Sequence, residues 1–430
     1  MSPDHPDSYW AATAGPGPAF PTIDRDLQTD VVIVGGGFTG LSAAYHLRKL
    51  GRACVVLEAN AIGWGASGRN GGMAVPRYKL TFPAIEARYG LNCALDFHRA
   101  AHSALDTLEG IISDCAIDCG FSRCGHLTPM VHQQDIRRFA DDARWLAVKA
   151  GDTQPSMLAR EEVRERIGTN FYAGAYFEPR GAGIHPLRYC QGLARALGTR
   201  SVQIFERSPA DSWLQDGAGI TVRTRNATLR CKCLVLATNG YSDLTSTTAA
   251  LKQRIVPMVS SLIATSPLGS ELRAGILQQG NLVTDAKRLT NYYRVMPDGR
   301  LVFGGRGGAT GKESSAIYAR LRRDMLRIFP QLADAGIDYR WSGRVAVTLD
   351  GLPHAGALND SVFYAMGYNG RGVALSALLG GMLAQYACGQ TPSLGPITQT
   401  SFDPIPLHFL RVPAKQVAIG YFKLLDALGA

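Results

Sequence analysis

Apolar residues fall first into a strand-like run at 30–34, Asp-Val-Val-Ile-Val, and then recur at Leu41, Ala44, Tyr45 and 47–50 with helical spacing. A second β-branched run at 54–58 follows Gly51, so the segment predicts a βαβ unit. Helical spacing dominates 82–150, with turns near Gly90, Gly110 and Gly120 and one strand at 125–130. Further on, the pattern predicts strands at 173–176, 202–205, 219–224 and 233–237 and an amphipathic helix at 186–197. Residues 254–266 alternate, and 291–296 and 300–304 flank Pro297-Asp298-Gly299, a hairpin signal. These segments predict an antiparallel sheet. A helix at 316–329, strands at 341–348 and 362–365 and a helix at 372–387 complete the regular pattern. Residues 1–29 have no sustained period and read as an arm, whereas 404–430 read as an amphipathic helix that docks on the body or mediates homo-oligomer contact.

Composition narrows the class. The chain has 430 residues, enough for two or three domains, with 46% apolar and 19% charged residues, which excludes a disordered chain and a polytopic membrane protein. The longest apolar stretch, 373–388, is too short and glycine-rich to span a bilayer. The net charge of +10 favours anionic partners, but the densest basic stretch, Arg320, Arg322, Arg323 and Arg327, is interleaved with apolar residues at helical spacing. It reads as a solvated helix face, and no nucleic-acid partner is expected. Nine cysteines match no C-x2-C pattern, and the first residues carry no basic or apolar leader, so free thiols in a reducing cytoplasm are expected. His126, His185 and His354 lack metal-ligand spacing among themselves, and no metal is assigned.

The chemistry concentrates in the glycines. Gly35, Gly37 and Gly40 form a GxGxxG between the first strand and its helix: the first permits the sharp turn, the second lets the backbone approach a pyrophosphate, and the third lets helix pack on strand. The helix N-terminus then offers N–H groups to phosphate. Glu58, eighteen residues beyond Gly40, ends the second strand where a carboxylate accepts ribose hydroxyls, favouring NAD or FAD over NADP. A glycine-dense loop at 63–73, with Ser67, Arg69 and Asn70, can run along an extended cofactor. A disulfide-reductase flavoprotein would need a second complete fingerprint and a redox cysteine pair, and 304–308 lacks the following helix and ribose acid.

Gly35 to Gly40 with Glu58, Gly65-Ala66-Ser67-Gly68-Arg69-Asn70-Gly71-Gly72, Ala237-Thr238-Asn239-Gly240 and Gly367-Tyr368-Asn369-Gly370-Arg371-Gly372-Val373 together resemble the D-amino-acid oxidase and sarcosine oxidase superfamily. The resemblance covers about 30–390, in the expected order. It implies a mixed α/β fold: a Rossmann-type FAD-binding domain from 30–92, 173–249 and 341–390, an antiparallel-sheet substrate domain from 93–172 and 250–340, and a tail at 391–430. By the same resemblance Phe38, Thr39, Glu58 and Ala59 hold the ADP half, and Ala210 holds the adenine. Ser67, Arg69, Asn70, Gly71, Gly72 and Met73 line the pyrophosphate and ring system, and Thr238 and Asn239 close over them. Gly370, Arg371, Gly372 and Val373 bring a helix N-terminus to the flavin N1/C2 oxygen. No His stands at 67–72 and no Cys at 304–306 or 341–353, so noncovalent FAD is expected.

The implied reaction is oxidation of an amine C–N bond with oxygen or another acceptor taking the electrons, and it needs no Ser-His-Asp relay. Gamma-glutamylputrescine or another polyamine derivative ranks first as substrate, and N-methyl or cyclic amino acids such as sarcosine or pipecolate come next. A flavoprotein subunit that needs a partner is the remaining alternative. For the pocket, the hairpin at 291–305 offers Tyr293, Arg294 and Arg306, with either face open as the pocket side. The arginines are candidates for a carboxylate, and Trp341 and Tyr368 for an aromatic wall.

Overall fold

The computed structural model describes residues 4–306, 314–399 and 402–428. Its first layer is built around the strand Leu27–Val34, whose Val31, Val32 and Ile33 are buried on both faces, as a central parallel strand requires. In this sheet the strands run Ser212–Asp216, Gly219–Arg223, Thr228–Leu236, Leu27–Val34, Cys54–Leu57 and Gln203–Phe205. Thr228–Leu236 turns from one partner to another along its length. Its first half pairs antiparallel with Gly219–Arg223, and its second half pairs in parallel with Val362–Met366. His354–Asn359 adds an antiparallel edge to the latter strand. The main core lies between this sheet and the helices Phe38–Lys49, Leu91–Asp114, Pro186–Thr199 and Gly372–Ala387. Phe38–Lys49 and Gly372–Ala387 pack so closely at Gly380 that a Cβ there would press on the Ser42 side chain, whose hydroxyl donates to the Ala377 carbonyl at 2.8 Å.

The second sheet has eight strands in the order Ile337–Val347, Val256–Thr265, Leu301–Arg306, Tyr292–Val295, Leu282–Thr284, His126–Met130, Gly174–Glu178 and Ser156–Leu158. All but one of its pairings are antiparallel; Leu282–Thr284 runs parallel to His126–Met130. The hairpin read at 291–304 is present, with Tyr293 opposite Phe303. On one face of this sheet Tyr293, Phe303 and Leu301 pack against Leu321, Met325 and Ile328 of the helix Ser315–Ile328. Two segments grouped by sequence with the first layer, Gly174–Glu178 and residues 341–347 of the strand Ile337–Val347, belong to the second sheet. Continuous apolar runs do not reveal which sheet a strand joins.

The described segments nearest each terminus pack on the body. Residues Tyr9–Thr13 form a short helix whose Trp10 is fully buried beside Leu187 and Trp341. The helix Arg411–Leu428 is held at its end by Asp426, which accepts from the backbone N–H groups of Arg288 and Leu289 at 3.0 and 2.9 Å. All nine cysteines are unpaired. No helix among the described residues is long and apolar enough to cross a membrane.

Candidate active site

The strand Leu27–Val34 ends at Gly35, whose φ of +114° suits glycine alone, and a Cβ there would stand 2.9 Å from the Ala237 carbonyl oxygen. A Cβ at Gly40 would collide with the Gly35 carbonyl, so helix and strand meet this closely only because residue 40 is glycine. Gly37 leaves the helix N-terminus without a side-chain cap. Its missing Cβ keeps open the space beside Ser67, whose hydroxyl accepts from the Phe38 N–H at 2.9 Å. With no cap from Gly37 and no acid in the first turn, the first-turn N–H groups beyond Phe38 suit an anion.

These residues open on a cavity with about 1190 Å³ of empty space. Gly35, Gly37, Phe38, Thr39, Glu58 and Ala59 line it. The Glu58 carboxylate accepts from Gly36 N–H at 2.7 Å and from Asn60 N–H at 2.9 Å, which fixes it at the end of its strand. Desolvation pushes its pKa above the usual carboxylate value, and the two N–H donors oppose that shift. Ala210, Thr238, Asn239, Gly370, Gly372 and Val373 complete the lining.

Three donors from distant parts of the chain grip the 63–73 loop by its carbonyls. Trp341 Nε1 donates to Arg69 O at 2.9 Å, Trp10 Nε1 to Asn70 O at 2.8 Å, and Arg294 Nη1 to Gly72 O at 2.9 Å. Arg294 Nη1 also donates to Ile184 O at 3.0 Å. Inside the loop, Asn70 donates to Ser67 O at 2.8 Å and accepts from Gly72 N–H at 2.8 Å. Arg69 lies over the Trp64 ring at 4.3 Å and donates to the Trp64 carbonyl at 2.7 Å.

A second cavity, of about 1100 Å³ empty space, adjoins the first, and Ala66, Asn70, Arg344, Val345, Gly370 and Val373 line both. Arg69, Gly71, Met73 and Arg371 face it from the loop and the glycine turn. The second sheet contributes Tyr292, Ser260, Thr284 and Leu262 from the face opposite its helix. Tyr292 Oη lies 2.8 Å from Ser260 Oγ, and burial pushes the phenol up to about 12, so it stays protonated. Lys79, Arg69, Arg344 and Arg371 bring four cations to the lining, and no Asp or Glu is among its described residues. Arg344 is paired with Asp243 at 2.6 Å. Burial, with Arg77 nearby, lowers the Arg371 pKa to about 10, which leaves it charged at neutral pH.

The expected pocket residues are placed differently from the expectation. Tyr293 points into the core beneath the sheet, its hydroxyl donating to Tyr172 Oη at 3.1 Å, and it reaches neither cavity. Strand alternation puts its neighbour Tyr292 on the cavity side instead. Arg294 shares that side but is buried against the loop carbonyls, and Trp341 is buried behind the same loop. Tyr368 lines the first cavity, its hydroxyl 2.8 Å from Thr39 Oγ1. Arg306 ends the strand Leu301–Arg306, and its side chain lies outside the described residues, as do Gly307 and Gly308. Sequence reasoning left open which hairpin face, that of Tyr292 or that of Tyr293, is the pocket side, and passed over Lys79, Arg344 and Ser260; alternation around 260 was the available signal for Ser260.

Residues 30–386 match the family described as FAD dependent oxidoreductase (DAO), and the chain belongs to it. It is therefore an enzyme that uses FAD. Over 427 residues it is 31% identical to a gamma-glutamylputrescine oxidoreductase of Escherichia coli, covering 99% of both chains. Over 431 residues it is 29% identical to a probable oxidoreductase, OrdL, of Haemophilus influenzae, covering 98% of both. Its fold is similar to that of a glycine oxidase from Geobacillus kaustophilus, with a TM-score of 0.74 at 19% identity over 87% of this chain and 99% of that one. The first cavity fits the cofactor: its lining brings together the start of the helix Phe38–Lys49, the second glycine turn and a carboxylate fixed by two N–H groups.

Proposed function

We propose that this enzyme oxidises the C–N bond of an amine that carries a carboxylate, with gamma-glutamylputrescine, or another polyamine derivative of that type, ranked first. The observation that carries the reading is the second cavity, which adjoins the first and is lined by four cations and no described acid. Arg371 is the central group: among the described residues no hydrogen bond or ion pair engages its guanidinium, and it borders Gly370 and Val373, which line both cavities. A planar guanidinium there suits a carboxylate. The similarity to the Escherichia coli enzyme supports the same substrate class.

In this reading the first cavity holds FAD, with Glu58 on the ribose, Phe38 and Thr39 at the helix N-terminus toward the pyrophosphate, and the 63–73 loop along the ring system. Bound FAD supplies the two-electron acceptor for conversion of the amine to an imine. The chain's own part is orientation and electrostatics. Arg371 anchors the carboxylate, and Met258, Val259 and Leu262 exclude water from the wall. The positive lining disfavours the ammonium form, so the amine sits neutral without a dedicated base. The Tyr292 hydroxyl offers a hydrogen bond to the substrate. No His or Cys lines either cavity among the described residues, which supports noncovalent FAD.

The test is anaerobic mixing of the purified flavoprotein with a panel of amines, followed by acid precipitation. Gamma-glutamylputrescine should bleach the flavin far faster than putrescine, which lacks the carboxylate, and the flavin should remain in the supernatant. Arg371→Met should raise KM for the carboxylated amine by about tenfold to 150-fold, the equivalent of about 1.5–3 kcal/mol for a charged hydrogen bond. Equal bleaching by putrescine would refute the carboxylate requirement, and bleaching by sarcosine or pipecolate alone would move the substrate to the N-methyl or cyclic amino acids.

A further inference from the structure

On the helix Leu91–Asp114, away from both cavities, His98 and His102 stand one turn apart, so their side chains share a face. Asp152 approaches that face from the segment after the helix Gln133–Trp145. His98 Nε2 lies 2.9 Å from Asp152 Oδ2, His102 Nε2 lies 3.7 Å from the same oxygen, and one ligand atom from each residue lies within 4.8 Å of the others. We propose that these three residues form a site for one zinc-class divalent ion, bound through two imidazole nitrogens and one carboxylate oxygen, with water in the fourth position.

The donor set is the one such ions select: imidazole and carboxylate, two histidines from successive turns of a helix, and a third ligand from elsewhere in the chain. Bonds of about 2.0–2.2 Å in a tetrahedron put donors about 3.3 Å apart, and the separations of the two imidazole nitrogens from Asp152 Oδ2, 2.9 and 3.7 Å, bracket that value. The ligands are also held in place. The His98 ring meets the edge of Phe82 at 5.5 Å and the His102 ring at 4.6 Å. Asp152 follows a π-helical turn at 146–150, a feature frequent at functional sites, and Gly151 with φ of +68°. Its backbone N–H donates to Leu146 O at 3.0 Å, and its Oδ1 accepts from Gln154 N–H at 3.3 Å, which leaves Oδ2 directed at the histidines. Side-chain exposures of 14%, 20% and 7% for His98, His102 and Asp152 give the ion a path from solvent.

Arg180 is the competitor. Its Nη2 donates to Asp152 Oδ2 at 2.7 Å, while its Nε and Nη2 also bond both oxygens of Glu178, at 2.6 and 2.8 Å. Arg180 can therefore release Asp152 and keep its pairing with Glu178. Two carboxylates against one guanidinium leave the cluster able to accept a cation. An ion here would clip the helix Leu91–Asp114 to the 146–154 segment.

The experiment uses the full-length flavoprotein, stripped with chelator, incubated with zinc chloride, desalted and assayed for zinc, with flavin content checking the fold of every variant. One zinc per chain and a zinc-dependent rise in Tm are expected. His102→Ala and Asp152→Asn should weaken uptake by at least about tenfold, the loss seen when even an outer partner is removed. Arg180→Gln, which removes the competing cation, should bind zinc more tightly than the wild type. A simple ion-pair network would show no such gain. Absence of uptake by the wild type, equal uptake by His102→Ala, or weaker uptake by Arg180→Gln would each overturn the assignment; if the alanine variant loses its flavin, the arginine variant decides.

Discussion

Replacing Trp341 with Phe separates two roles for that residue. The indole is 1% exposed and gives one hydrogen bond, from Nε1 to the Arg69 carbonyl at 2.9 Å. Phenylalanine keeps a ring in the core but removes the donor, and a buried acceptor left unmade costs about 1–3 kcal/mol. Without cofactor the loop can relax and give that carbonyl to water, so the penalty falls when FAD requires the loop to be ordered. The expected result is a dissociation constant for FAD raised about fivefold to 150-fold. The smaller ring also leaves a void, a fraction of the about 3–5 kcal/mol that full truncation costs, and this lowers Tm in apo and holo protein alike. The assay is flavin-fluorescence titration of apoprotein, with Tm measured in both forms and Trp10→Phe, which removes the donor to the adjacent carbonyl, as a second arm. Unchanged FAD affinity with equal Tm losses in both forms would refute the loop-clamp argument. A raised KM for amines with unchanged FAD affinity would return Trp341 to the substrate wall.

Other outcomes follow from single contacts. Glu58→Gln should weaken FAD binding about tenfold to 150-fold in the same titration, since it removes a charged acceptor fixed by two N–H groups. Gly40→Ala should yield little soluble flavoprotein, because its Cβ would strike the Gly35 carbonyl. Gly110→Ala, by contrast, sits in the helix Leu91–Asp114 with open space around it and should stabilise by about 0.4–1 kcal/mol, read as a higher Tm. Burial pushes the Asp285 carboxyl up to about 7, with Lys287 opposing. The folded protein thus retains a proton that the unfolded chain loses near pH 4, and stability should fall as pH rises from about 4 to 7. Asp285→Asn should flatten that slope in Tm-against-pH curves, and an unchanged slope would assign it to other groups.

The cofactor fingerprint was legible because its logic is local. Gly35, Gly37, Gly40 and Glu58 are fixed by a turn, a helix start and a strand end within one βαβ unit, and all but Gly40 line the first cavity, where Gly40 supplies the close packing. The substrate side was legible only in part. Alternation shows that Tyr292 and Tyr293 oppose each other, but which one faces the cavity depends on the helix Ser315–Ile328 covering the other side. Trp341 and Arg294 are aromatic and cationic like pocket residues, yet their partners are backbone carbonyls more than one hundred residues away, which no side-chain pattern encodes. The H-x3-H spacing of His98 and His102 stands in the sequence but was passed over, and Asp152 joins them only through the packing of a distant segment.

The grip on the 63–73 loop ties the first residues of the chain to cofactor retention. Trp10 belongs to the arm, and its hold on Asn70 is part of what orders the loop. Linkage is reciprocal: if the docked arm tightens FAD, then FAD must secure the arm by the same factor. The glycine- and proline-rich stretch at 15–18 should therefore resist proteases in the loaded enzyme and yield in the apoenzyme, and a tag fused ahead of Tyr9 becomes a perturbation of flavin content rather than an inert handle.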